Sequence, residues 1–356
     1  MVLSVHKLSH FLKTHSKLEN QHRNPDAGAG DDGAVLSEFR SGVSSFLNRI
    51  ALGSSETPGS EFWTLGRVGL LLEGLCLIHK EFVKTVARLN HPLSVWGPAI
   101  TDEYLSFSFH LLGLLNQVSS SISHLNQARL SLSFALSQSQ HHSPPHPPPH
   151  TAAPATSTAV AVTSAEATET VAADSAVVTS AAAAKNLRKI LPQDLQKDFN
   201  LGKANWKQLG EEIPDNKERA IHESLMITKR VSFWLLGAVL SGLSSDLKPF
   251  MELRKWVMGS DQEPLLLRLD CVFTKEVTEK KQSAVKEVKE INEMVAKVVS
   301  AAMEGGDDSA AKELGKQLQR FEEQLEGMRK QTDNLFKEVL AARSGLVDGL
   351  RCSSSG

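Results

Sequence analysis

Apolar or neutral side chains recur at Leu314, Leu318, Phe321, Leu325, Met328, Thr332, Leu335, Val339, Ala342 and Leu346, in steps that alternate between four and three residues. That spacing is the seam of a long helix built to lie along another helix. The same alternation runs through Tyr104, Ser108, Leu111, Leu115, Val118, Ile122, Leu125, Arg129, Leu132 and Leu136. The two series predict two long packing helices. Leu111, Leu115, Val118, Ile122 and Leu125 are expected to hold one seam, and Leu314, Leu318, Phe321, Leu325, Met328 and Leu335 the other.

Shorter patterns fill in the rest. Val35, Leu36, Phe39, Val43, Phe46, Leu47 and Ile50 recur at helical steps, and Gly53 to Gly59 breaks the run. A second helix is predicted from Phe62 to Asn90, where Asn90, His91 and Pro92 stop it. Thr101, just past Pro98, is positioned to cap a third. After residue 185, Leu187, Ile190, Leu191, Leu195 and Phe199 form a short amphipathic segment. A helix from Pro214 leads into the apolar block VSFWLLGAVLSGL, and a short one covers Pro249 to Met258. Leu265 to Met303 is predicted as a single long helix with Val285, Val288, Ile291, Val295 and Val298 on one side. The Glu304–Asp307 turn then returns the last helix antiparallel to it. No alternating run sits between turn clusters, so the expected fold is all-α: an elongated antiparallel helical bundle with long coiled-coil-like helices.

Composition divides this bundle. From Ser137 the chain reads SQSQHHSPPHPPPH and then runs almost wholly through Ala, Thr, Ser and Val to Ala184. Proline forbids helix there, and no large apolar residue offers a core anchor. The expected organisation is a flexible arm over 1–30, helices over 31–138, a disordered linker over 139–183, helices of the same bundle over 184–351, and a tail over 352–356. The 356 residues are 41% apolar and carry a formal charge of -2, which speaks against a nucleic-acid-binding role. Cys76, Cys271 and Cys352 are an odd set without close pairing, as in a reducing compartment. The arm is basic with scattered apolar residues and lacks an uninterrupted secretory core, which leaves an organellar transit peptide as an alternative to a free arm.

Chemistry is sparse. His141, His142, His146 and His150 cluster in the polyproline stretch, which supplies no fixed metal geometry. Cys76 and His79 are helix neighbours, but no oxyanion hole or orienting group accompanies them, and a packed thiol beside a boundary histidine is the simpler reading. There is no phosphate loop, GxSxG or HExxH; Gly66, Gly69 and Gly74 fall within a helical pattern, at expected close helix contacts. Neither a cofactor nor a metal is implied, and no enzymatic role is expected. An apolar pocket near Trp234 and Trp256 would be the place to seek one. The block containing Val231, Phe233, Trp234, Leu235, Leu236, Val239 and Leu240 is roughly 15 residues long even with Ser244 and Ser245, short of the ~20 a spanning helix needs. Its two readings are a helix buried on all sides and a membrane association through 231–245.

Several short segments, taken in order, resemble one family. They are Glu73-Gly74-Leu75-Cys76 with His79-Lys80, then Leu93-Ser94-Val95-Trp96, then Asp102-Glu103-Tyr104-Leu105. Leu111-Leu112, Asn116, Leu125-Asn126-Gln127, Leu130 and Phe134-Ala135-Leu136 follow, with Val231, Gly237, Ser241-Gly242, Leu335-Phe336 and Ser344-Gly345-Leu346 further on. In order and spacing these resemble the plant BYPASS-type proteins, a group related to exocyst-interacting plant proteins. The resemblance implies a regulatory protein without catalytic residues, acting in root and shoot development by limiting a root-derived mobile signal. The alternative it implies is a membrane-trafficking adaptor that contacts the exocyst in secretion of wall material. Protein partners are expected, their identity and the oligomeric state being open. The implied location is cytoplasmic or peripherally membrane-associated, with a single-pass membrane or plastid location as alternatives. The Pro/Ala-rich stretch and the N-terminal arm depart from the family pattern.

Overall fold

The computed structural model describes residues 28–52, 62–92, 95–141, 187–193, 215–258, 264–279, 285–304 and 309–353. Most of the N-terminal arm, residues 142–183 of the expected linker, His142, His146, His150, Leu195 and Phe199 lie outside them. Among the described residues there are eight α-helices and no strand: α1 (Gly28–Leu52), α2 (Leu65–Arg88), α3 (Pro98–His141), α4 (Asn216–Ser244), α5 (Lys248–Val257), α6 (Pro264–Glu279), α7 (Lys286–Met303) and α8 (Ser309–Ser353). The fold is all-α. The chain forms two compact units, one of residues 1–123, 192–286 and 324–356, the other of 124–191 and 287–323.

Local chemistry sets the helix ends. Thr64 has extended backbone (φ -129°, ψ 153°), and its hydroxyl accepts the Arg67 N–H at 3.1 Å, an N-cap for α2. Asp215 caps α4 in the same way, accepting the Lys217 N–H at 3.1 Å. Ser245 closes α4 with a left-handed backbone (φ 59°), and Asn90 does the same just beyond α2 (φ 47°). Thr101 is not the cap of α3. The helix already starts at Pro98, whose fixed φ suits a first helical position, so Thr101 lies inside the first turn and its N–H donates to the Gly97 carbonyl.

The single long helix expected over Leu265–Met303 is two, α6 and α7, and Val285 before α7 is non-helical and buried. The reason lies in the apolar stripe. Leu266, Leu269 and Phe273 are buried on α6 and Val285, Val288 and Ile291 at α7, but Lys280 and Lys281 occupy the intervening phase. Continuing one helix would have carried lysines onto the buried face. The Lys286 N–H instead donates to the Trp63 carbonyl at 2.9 Å, leaving the helical ladder.

In the first unit α4 is the centre, packed by α1, α2 and α5. Every residue of 231–244 is buried. Small residues let neighbours approach this closely. A Cβ on Gly242 would stand 2.8 Å from Val68 and 2.9 Å from the Trp63 ring, and one on Gly74 would overlap the Phe46 ring. Of the other two glycines in the α2 pattern, Gly69 only reaches Met328 at 4.0 Å, and Gly66 meets the Thr64 hydroxyl at 3.8 Å. Phe273 is the hub of an aromatic cluster, its ring centroid 4.6 Å from Phe250 and 5.1 Å from both Phe62 and Trp234.

In the second unit Leu125 and Leu132 on α3, Ile291 and Val295 on α7, and Leu314, Leu318 and Phe321 on α8 are all buried. Arg129 occupies an otherwise apolar seam position; it is buried and paired with Glu322 at 3.0 Å, with Asn126 Oδ1 accepting a second N–H. The residues expected to form an amphipathic segment behave differently over 187–193. Leu187 and Ile190 are buried, Leu191 is 68% exposed, and the backbone is non-helical. Pro192 explains this, because proline disfavours helical backbone in the residue before it.

Candidate functional site

Leu111, Leu115, Val118, Ile122 and Leu125 on α3, and Leu314, Leu318, Phe321, Leu325, Met328 and Leu335 on α8, are buried, whereas Ala342 of the same series is half-buried. The apolar block, Val231, Phe233, Trp234, Leu235, Leu236, Val239 and Leu240, lies inside the first unit. Its helix is long and apolar enough to cross a membrane by composition, yet 83% of its most apolar window is buried within the protein. Burial on all sides is what a core helix of a packed bundle shows.

The chemistry around that helix sits in two ionic centres. At the first, Asp270 of α6 is 2% exposed and receives the Trp234 indole N–H at 3.0 Å. Arg254 of α5 meets the same carboxylate with Nε at 2.9 Å from each oxygen and Nη2 at 2.7 Å from Oδ2. This charged hydrogen bond raises the Arg254 pKa above the ordinary guanidinium value. At the second, Lys229 of α4 is hydrogen-bonded to Glu103 of α3, both largely buried. Burial lowers the Lys229 pKa, and Glu103 opposes that shift. Sequence reasoning missed both centres. The one local signal is a lone aspartate, Asp270, set between the apolar stretches Leu265–Leu267 and Cys271–Phe273.

Cys76 and His79 share α2 but different surroundings. His79 is fully buried and its Nδ1 has no hydrogen-bond partner; burial drives its pKa down to about 4, with Lys80 adding to the effect. Cys76 lies half-buried on a cavity of about 240 Å³ lined also by Glu73, Lys80, Gln331, Leu335 and Glu338. Its thiol donates to the Gln331 carbonyl at 3.8 Å, and burial, helped by Glu338, pushes its pKa up to about 11. A thiol held protonated is a poor nucleophile. These two side chains therefore do not form an activated Cys–His pair.

Trp234 and Trp256 are placed apart in character. Trp234 is packed among Phe250 and Phe273, whereas Trp256 is half-buried beside the His110 ring at 6.4 Å. Large apolar side chains remain on the outside of α3, Phe109 and Phe134 being 64% and 65% exposed. Arg343 of α8 donates to the Leu105 carbonyl and to Ser108 Oγ at 2.8 Å, and its guanidinium lies 5.9 Å from the centre of the Phe109 ring.

No family model and no solved structure matches the chain. Over 110 residues it is 30% identical to Protein BPS1, chloroplastic, from Arabidopsis thaliana. The match covers 31% of this chain and 30% of the length of that protein, a partial likeness to a BYPASS-type protein.

Proposed function

We propose that the chain is a non-enzymatic regulatory and interaction protein of the BYPASS type, acting in root and shoot development by limiting production of a root-derived mobile signal. The observation that carries this reading is the 110-residue similarity to Protein BPS1, chloroplastic. The geometry agrees with a scaffold role. Asp270, Arg254, Lys229 and Glu103 spend their charges on one another inside the first unit, while Phe109 and Phe134 stay outside on α3. Grafting wild-type shoots onto roots lacking the gene tests it. Arrested shoots are expected, and normal shoot growth on such roots overturns the reading. Recovery of a vesicle-tethering complex with the full chain, with shoot growth unaffected, would replace it by the trafficking adaptor.

For compartment, the word chloroplastic in the relative's name supports the plastid alternative. The burial of residues 231–244 supports a core role for α4 over a membrane-spanning one. A fluorescent fusion at the C-terminus of the full chain, followed by carbonate washing of the organelle fraction, separates these locations. Plastid fluorescence released by carbonate is expected. Carbonate-resistant signal overturns the core role of α4.

A further inference from the structure

In the second unit, residues 187–191 form a strap held by a small set of contacts. Leu187 and Ile190 point inward and are buried, while Arg188, Lys189 and Leu191 face outward. The backbone of Ile190 is read on both sides by one side chain. Its N–H donates to Asn292 Oδ1 at 2.7 Å, and its carbonyl accepts from Asn292 Nδ2 at 2.9 Å. The next carbonyl, of Leu191, lies 3.0 Å from His124 Nε2. Asn292 on α7 and His124 on α3 thus do for a non-helical segment what a neighbouring strand does in a sheet.

This is the chemistry of peptide recognition. Main-chain hydrogen bonds give affinity whatever the sequence, and buried side chains at fixed spacing give specificity. Here the specificity elements are two large aliphatic residues three positions apart. The connection also sets this strap apart from an ordinary loop. It lies against α3, yet residues 142–186 separate it in sequence from the end of that helix, whereas connections within compact domains are commonly about 4–6 residues. Nothing in the strap's hydrogen bonding requires that it belong to the same chain.

We propose that the surface of the second unit marked by Asn292 and His124 is a peptide-recognition site, and that residues 187–191 are its built-in occupant. A partner protein with a non-helical segment bearing aliphatic residues at the Leu187 and Ile190 spacing displaces the strap. The proposal supplies the kind of partner for the interaction-protein reading and rests on it for that alone. Its test reads peptide binding instead of plant growth, so the two fail separately.

The experiment uses the full chain carrying Leu187→Asp and Ile190→Asp together, which empties the site, and a labelled peptide of residues 187–193 followed by fluorescence anisotropy. Saturable binding to the double variant is expected, with binding to the parent chain at least about tenfold weaker because its own strap competes. Adding Asn292→Ala to the double variant should weaken binding by about tenfold, through loss of two backbone hydrogen bonds. Absence of binding to a double variant that keeps its helical circular dichroism overturns the proposal. So does loss of that signal, since the strap is then part of the core. Equal binding of a peptide with both aliphatic residues changed to Ser also overturns it. Dimerisation of the parent chain through exchanged straps would overturn the assignment of a foreign partner.

Discussion

Trp234 donates its indole N–H to Asp270 across 3.0 Å at the centre of the first unit, and Asp270 has 2% of its surface exposed. The same carboxylate takes the Arg254 fork, so three helices, α4, α5 and α6, converge on one side chain. A pair with one partner buried and the other part-exposed adds little to stability over an apolar substitute, because desolvation of the carboxylate offsets its attraction. Breaking one side of it is another matter. Asp270→Ala should destabilise the protein by about 1–3 kcal/mol, chiefly by leaving the buried Trp234 indole N–H without its acceptor, since the partly exposed Arg254 guanidinium can turn to water. Asp270→Asn, which keeps an acceptor for Trp234, should cost less than half of that. Urea unfolding followed by circular dichroism measures both, and equal losses would mean that the charge, and not the acceptor for Trp234, carries this centre.

The α8 seam gives a sharper expectation. Leu318 is buried in the second unit, on the same apolar stripe as Leu314 and Phe321. Leu318→Asp should remove more than about 4 kcal/mol, since an unpaired charge would be forced into the apolar contact. A thermal melt by circular dichroism unchanged from the parent would show that the seam is not what holds this helix.

Glycine positions test packing without charge. A Cβ at Gly74 would stand 1.8 Å from Phe46 Cζ, so Gly74→Ala must push the ring or the helix aside. We expect a loss of about 1–3 kcal/mol. Gly113 on α3 is exposed, and nothing stands within 4 Å of its added Cβ. Gly113→Ala should stabilise by up to about 1 kcal/mol through helix propensity alone. The two changes are chemically identical, so opposite signs in urea unfolding isolate the contact.

These elements differ in how far the sequence announces them. The α3 and α8 seams are legible because alternating four- and three-residue steps can only be satisfied by a helix with one buried stripe, and the all-α fold follows from them. The break between α6 and α7 hides behind Lys- and Glu-rich residues whose helix propensity continues without interruption; its one signal is the lapse of the apolar stripe at Lys280 and Lys281. Asp270 is harder still. Its partners Arg254 and Trp234 lie 16 and 36 residues away, and local periodicity carries no information about which helices meet. The Ile190–Asn292 pairing spans 102 residues and rests on backbone atoms, which no side-chain pattern records.

His79 makes the stability of this protein depend on pH, and the sign follows from its surroundings. Burial holds the folded-state pKa near 4, below the ordinary imidazole value of 6.5, so between those values the unfolded chain takes up a proton that the folded chain refuses. Stability is therefore full above about pH 6.5 and falls as pH drops toward 4, by a few kcal/mol at most. His222, whose pKa burial also lowers, acts in the same direction; Glu38 and Glu326 are lowered carboxylates and add their losses only below about pH 4.5. His79→Leu should flatten most of the slope between pH 6.5 and 5. At pH 7 it should leave stability unchanged or higher, since Nδ1 has no partner to lose. Urea midpoints measured across that range decide it: a slope that survives the substitution would assign the proton uptake to His222 instead.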